Sequence, residues 1–174
     1  MELLSHNLDL DGLILIEPGI AEDERGTFSE LYKKSDYRRI GIIEKFVQEN
    51  ISVSKKGVLR GLHYQQEPLG QAKLVRCSRG SIFDVAVDIR PKSKNYLKWR
   101  GVILTAENRL QLFIPKGFAH GFQALEDNTE VVYKCTTEYC KSHEEVIAYN
   151  DTRIEIEWPI EAEIIHSEKD RGVK

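Results

Sequence analysis

Three features of the chain predict an all-β fold of the sandwich or jelly-roll kind. Apolar and polar residues alternate with a period of two over most of its length, strand-like runs are short and regularly spaced, and Gly, Pro, Asn, Asp or Ser stands between them. A period of two sends successive side chains to opposite faces of a strand, as a half-buried sheet requires.

Residues 13–17 open the series of expected strands. One short peripheral helix follows, with Ser35 placed to cap Asp36-Tyr37-Arg38-Arg39-Ile40 and Gly41 placed to end it. Strands are then expected at 46–53, 58–65, 73–77, 81–89, 98–104, 111–114, 121–125 and 130–137. Residues 142–149 are ambiguous between turn and strand, and the charged tail 161–174 between a short helix and a mobile end. No repeat, low-complexity tract or interdomain linker interrupts the pattern, so residues 1–174 are expected to form one domain.

With 174 residues, 41% of them apolar, the chain has material for one proper core. A net charge of -3 leaves no general basic surface, which argues against nucleic acid and anionic membranes as partners. No apolar run approaches the ~20 residues of a membrane span, and Met-Glu-Leu-Leu-Ser-His lacks the charged start and apolar run of a signal peptide. A cytoplasmic protein is expected. Cys77, Cys135 and Cys140 are odd in number and form no C-x-x-C pair, which reads as structural thiols rather than a disulfide framework or zinc knuckle.

The chemistry is carried by ionisable residues set inside apolar strand sequence: Arg60 and His63 in 58–65, then Lys73, then His120 in Phe118-Ala119-His120-Gly121-Phe122. Burying such groups is costly unless they are paired or met by a ligand, so the cluster marks a pocket. Arg60 and His63 have opposite parity on a regular strand and reach one cavity only through a bulge or twist, which Gly61 permits. Taken alone, His63 is equally a satisfied core histidine.

Pro115-x-Gly117-x-x-His120 resembles the second signature of the cupin family, in which strand, turn and strand present a histidine to the barrel interior. The resemblance implies a cupin jelly-roll barrel. Metal-binding cupins carry His-x-His in a first signature, where this chain has His63-Tyr64-Gln65. Two histidines fall short of the roughly three protein ligands a metal needs, so no metal is expected.

A closer resemblance rests on Asp23-x-Arg25-Gly26-x-Phe28-x-Glu30, Gln48-Glu49-Asn50, Val58-Leu59-Arg60-Gly61-Leu62-His63, Lys73-Leu74-Val75-Arg76, Phe83-Asp84-Val85-Ala86-Val87-Asp88-Ile89-Arg90, Ile114-Pro115-x-Gly117-Phe118-Ala119-His120-Gly121-Phe122 and Tyr133-Lys134. In order and spacing these motifs, with the match running over residues 23–170, resemble the dTDP-4-dehydrorhamnose 3,5-epimerase family. That resemblance implies inversion of C3 and C5 in dTDP-4-dehydro-6-deoxy-D-glucose. Both carbons flank a ketone, so their protons are acidic enough for side-chain chemistry and no cofactor is implied.

By the same resemblance His63 is the base, Asp170 its orienting partner on a tail that folds back over the barrel, Tyr133 the proton donor on the opposite face, and Lys73 the group facing the C4 oxygen. Arg25 and Arg60 match diphosphate contacts, Lys169 and His120 further ligand contacts, and Gln48 and Asn50 a pyrimidine edge. Glu30, Glu49 and Glu144 fall at matched binding positions, with Phe28 and Tyr139 as candidates for stacking on the base. A homodimer is implied, in which Arg25, Phe28 and Glu30 serve the neighbouring site. The alternatives are an epimerase that inverts only C3 or only C5, and a noncatalytic sugar-nucleotide-binding cupin.

Overall fold

A computed structural model of the chain describes residues 2–162 and 164–171; residues 172–174 of the expected tail, and Glu163 within it, lie outside the described residues. In chain order the strands are β1 (Leu3–Asn7), β2 (Ile14–Pro18), β3 (Ala21–Asp23), β4 (Gly26–Phe28), β5 (Gln48–Ser54), β6 (Leu59–Gln65), β7 (Lys73–Arg79), β8 (Ser81–Asp88), β9 (Trp99–Thr105), β10 (Gln111–Ile114), β11 (Phe118–Ala124), β12 (Thr129–Cys135) and β13 (Glu144–Val146), with helix α1 at Lys34–Arg39. They form a six-stranded sheet in the order β1-β2-β10-β7-β12-β5, a five-stranded sheet β13-β6-β11-β8-β9, and the hairpin β3-β4. All the strand pairings are antiparallel.

Alternation fixes which side chains fill the space between the two sheets. Val75, Leu112 and Val131 from the larger sheet meet Ile82, Ala86, Phe118 and Phe122 from the smaller. The opposite face of the smaller sheet presents Leu59, Leu62, Val85, Val87 and Ala119, which Ile154 and Trp158 cover. The far face of the larger sheet presents Ile16, Leu74 and Phe113 to Tyr37 of α1 and to Ile42. The fold is the all-β jelly roll that the alternation predicts.

Three local expectations change. Helix α1 begins before Ser35, with Lys33 at its N-cap and no side-chain cap; the Ser35 hydroxyl donates to Asp36 Oδ1 at 3.3 Å instead. What holds the helix is Tyr37, buried and donating its hydroxyl to the Leu31 carbonyl at 2.8 Å, and Gly41 ends it at φ 89°. The ambiguous stretch 142–149 contains strand β13, which pairs with β6. Strands β1, β3 and β4 were not expected, because almost every residue in them is exposed and no buried face imposes a period.

One irregularity positions the site. On β11, His120 pairs with His63 and Phe122 with Arg60, so two steps on one strand span three on the other. The extra residue is a β-bulge, and it brings Arg60 and His63 to the same face while Leu59 and Leu62 share the other. Gly61 sits there at φ 137°, where an added Cβ would lie 2.4 Å from Gly121 Cα. Only glycine fits.

Candidate active site

Between the sheets lies a cleft with two lobes of about 520 and 250 Å³, and His63, Lys73 and Tyr133 line both. His63 rises from the five-stranded sheet on β6; Lys73 on β7 and Tyr133 on β12 rise from the six-stranded sheet facing it. An imidazole and a phenol therefore face a common space from opposite walls.

The tail supplies the third wall. Ile165 bridges Val58 in parallel, its carbonyl accepting from Leu59 N at 2.8 Å, and a 3₁₀ turn at Lys169–Arg171 follows. This carries Asp170 Oδ1 to 2.6 Å from His63 Nε2, while Ser167 Oγ donates to Asp170 Oδ2 at 2.8 Å. Burial alone would raise the Asp170 carboxyl, but the bonds from His63 and Ser167 outweigh it and hold it below the usual range. An ionised carboxylate only accepts, so Nε2 carries the hydrogen of that bond and Nδ1 is the ring nitrogen left to meet a ligand.

Burial pushes the Tyr133 phenol up, against opposing pulls from Arg60 and from a hydrogen bond with Asn50, so it stays protonated at neutral pH. Lys73 is buried, which pulls its ammonium down, while Cys135, Asp84 and Glu144 push it back up. The arrangement gathers an imidazole, a phenol and an amine around one space, the kinds of group that can move protons beside a carbonyl.

The sequence profile of the dTDP-4-dehydrorhamnose 3,5-epimerases matches residues 7–174. The chain belongs to the dTDP-4-dehydrorhamnose 3,5-epimerase family. The epimerase of that name from Methanothermobacter thermautotrophicus is 51% identical over 167 residues, covering 95% of this chain and 90% of the relative. The crystal structure of the dTDP-4-dehydrorhamnose 3,5-epimerase from Elizabethkingia anophelis superposes with a TM-score of 0.94 at 44% identity, covering 97% of this chain and 93% of that one. A Legionella pneumophila 3,5-epimerase, solved in complex with dTDP-4-keto-L-rhamnose, superposes with a TM-score of 0.93 at 46% identity, covering 97% and 90%.

Most residues that the resemblance to the dTDP-4-dehydrorhamnose 3,5-epimerases singles out do meet here. Arg60, His120 and Lys169 line the larger lobe; Gln48, Asn50, Tyr139 and Glu144 line the smaller. These last four are linked, since Gln48 bonds Asn50 at 2.9 Å and the Tyr139 amide at 2.7 Å, and Tyr139 Oη donates to Glu144 at 2.8 Å. Lys169 Nζ pairs with Glu144 at 2.5 Å, a bond that ties the tail to β13.

Four expected residues lie elsewhere. Glu49 has the opposite parity to Gln48 and Asn50, so it faces away from the cleft and pairs with Lys134 at 2.6 Å. Arg25 is exposed and chelated by Asp23, Phe28 is 65% exposed beside Arg76 and Arg109, and Glu30 stands 3.9 Å from Lys33. None of the three reaches this chain's own cleft.

The sequence reading missed Ser52, Phe122 and Ser167 in the lining, and Asp84 behind His120. Asp84 had a signal, a carboxylate inside the apolar run 81–89; Ser167 had none. Cys77 and Cys135 are buried and Cys140 half-buried, all three free. Among the described residues no group of three or more His, Cys, Asp or Glu is placed to hold a metal ion, and no helix is long and apolar enough to cross a membrane.

Proposed function

We propose that His63 and Tyr133 are the acid–base pair with which this epimerase inverts C3 and C5 of dTDP-4-dehydro-6-deoxy-D-glucose, giving dTDP-4-dehydro-L-rhamnose in a cytoplasmic route to rhamnose. The observation that carries the reading is that the two groups stand on opposed sheets with Lys73 in the same cleft. His63 Nδ1 takes the proton from carbon, the C–H electron pair moves toward the C4 oxygen, and the Lys73 ammonium meets the charge that develops there. Tyr133 then delivers its proton to the other face of that carbon. Asp170 steadies the imidazolium, the orienting role a carboxylate plays in a catalytic triad.

Arg60 binds the diphosphate, His120 and Lys169 make further ligand contacts, and Gln48 and Asn50 take the pyrimidine edge. Residues 1–174 act as one cupin domain, closed by the tail. The molecule works as a homodimer in which Arg25, Phe28 and Glu30 complete the partner's cleft. Supporting this, β5 is the edge of its sheet and exposes Ile51 at 62% and Val53 at 54%, an apolar edge that folded proteins cover.

Incubating the dTDP-sugar with enzyme in heavy water and locating deuterium by NMR tests the reading. Label is expected at both C3 and C5; label at one carbon alone would make the enzyme a single-site epimerase. His63→Asn should slow exchange at both carbons about 10²–10⁴-fold while dTDP binding persists. Undiminished exchange in that variant removes His63 from its role.

A further inference from the structure

Strand β6 carries His63 into the cleft and ends two residues later on Gln65, a buried side chain that the roles above leave unused. Its amide is fully engaged by loop backbone. Nε2 donates to the Leu69 carbonyl at 2.7 Å and to the Glu138 carbonyl at 3.3 Å, while Oε1 accepts from the Cys140 amide at 2.6 Å. Two of these three bonds hold the residues on either side of Tyr139. Gln48 Oε1 accepts from the Tyr139 amide itself at 2.7 Å, so three successive loop residues are pinned by one glutamine from each sheet. The Tyr139 ring lines the smaller lobe and is left 52% exposed.

We propose that Gln65 is a positioning residue: by gripping the peptide on both sides of Tyr139, it holds that ring in the cleft as a preformed platform for a nucleotide base. The inference rests on the reading of Tyr139 as the residue that stacks on the base. Both Nε2 hydrogens are engaged, so Gln65 has no donor left for a ligand and acts through Tyr139. A platform fixed before the ligand arrives avoids the entropy of ordering a loop on binding. Further from the ring the two loops are laced independently, since Gln71 Nε2 donates to the Thr137 carbonyl at 2.7 Å, Thr137 Oγ1 to the Gly70 carbonyl at 3.0 Å, and the Ala72 amide to Thr136 Oγ1 at 2.9 Å. Those bonds stop short of Tyr139, and they should preserve the fold when Gln65 is replaced.

Calorimetric titration with dTDP and with pyrophosphate, which has no base, separates this role from a general structural one. Gln65→Met, which keeps the length but not the amide, should weaken dTDP binding about 10-fold and leave pyrophosphate within about twofold. Equal losses for the two ligands, or no loss for dTDP, overturn the proposal. Combined with Tyr139→Ala, the Gln65 change should weaken dTDP no further than Tyr139→Ala does alone; additive losses would mean that Gln65 acts apart from the ring. A Tyr139→Ala variant that binds dTDP as tightly as the wild type overturns the stacking reading itself, and the proposal with it. Hydrogen exchange in the unliganded wild type decides the matter even where Gln65→Met fails to fold. A Cys140 amide protected before dTDP is added is expected, and one that gains protection only with dTDP overturns the proposal.

Discussion

A carboxyl group as buried as Asp170 would ordinarily hold its proton more tightly, yet the hydrogen bonds from His63 and Ser167 reverse that tendency. Its folded pKa lies below the 3.8 of a free aspartate, so the stability it lends the tail is complete above that value. As the pH falls through the lower folded value the contribution is lost. Hydrogen-exchange protection of the Asp170 amide, which bonds to Ser167, should therefore fall on acidification below about pH 4, while strands β7 and β11 remain protected at the same pH. Asp170→Asn should show the weakened protection already at neutral pH and lower kcat about 10³–10⁴-fold through the wrong imidazole tautomer. A tail whose protection tracks the core at every pH would refute the coupling.

Among the elements, the bulge in β6 matters most for the site. Strand 58–65 was legible from its alternation, as were the other central strands to within a few residues, because each has one face against a core. The parity conflict between Arg60 and His63 was legible too, and so was the glycine that resolves it. Gly61→Ala puts a Cβ 2.4 Å from Gly121 Cα at φ 137°, a conformation that costs about 1–3 kcal/mol before the clash is counted. Such a loss should lower Tm by at least about 2–4 °C and abolish exchange, since β6 must shift to relieve the contact. A variant that keeps both Tm and activity would show the bulge to be dispensable. What stayed illegible were β1, β3 and β4, whose exposed residues obey no burial period, and the start of α1, where packing of Tyr37 does the work that a cap was expected to do.

For the whole molecule, the open question raised by the fold is what covers the exposed edge at β5 and where the hairpin β3-β4 acts. If one subunit's Arg25 completes its partner's cleft, inactive Arg25→Ala and His63→Asn homodimers should regain activity when mixed and exchanged. Random pairing makes half the dimers mixed, each with one intact cleft, so about a quarter of wild-type activity is expected. Sedimentation should report a dimer. Exchange of subunits without recovered activity would place Arg25 in its own chain's service or outside the site.

The sequence by itself determined the all-β class and the family, and singled out the candidate reacting groups, because alternation and motif spacing are local properties of the chain. Tertiary structure alone decided the rest. His63 and Asp170 are separated by 107 residues, and only closure of the two sheets and return of the tail bring them to 2.6 Å. The same closure turned Gln48 and Asn50 inward and Glu49 outward, set Tyr133 opposite His63, and left Asp84 behind His120. Which side chains share a cavity is a matter of register and sheet packing, and those forces act between residues far apart in the chain.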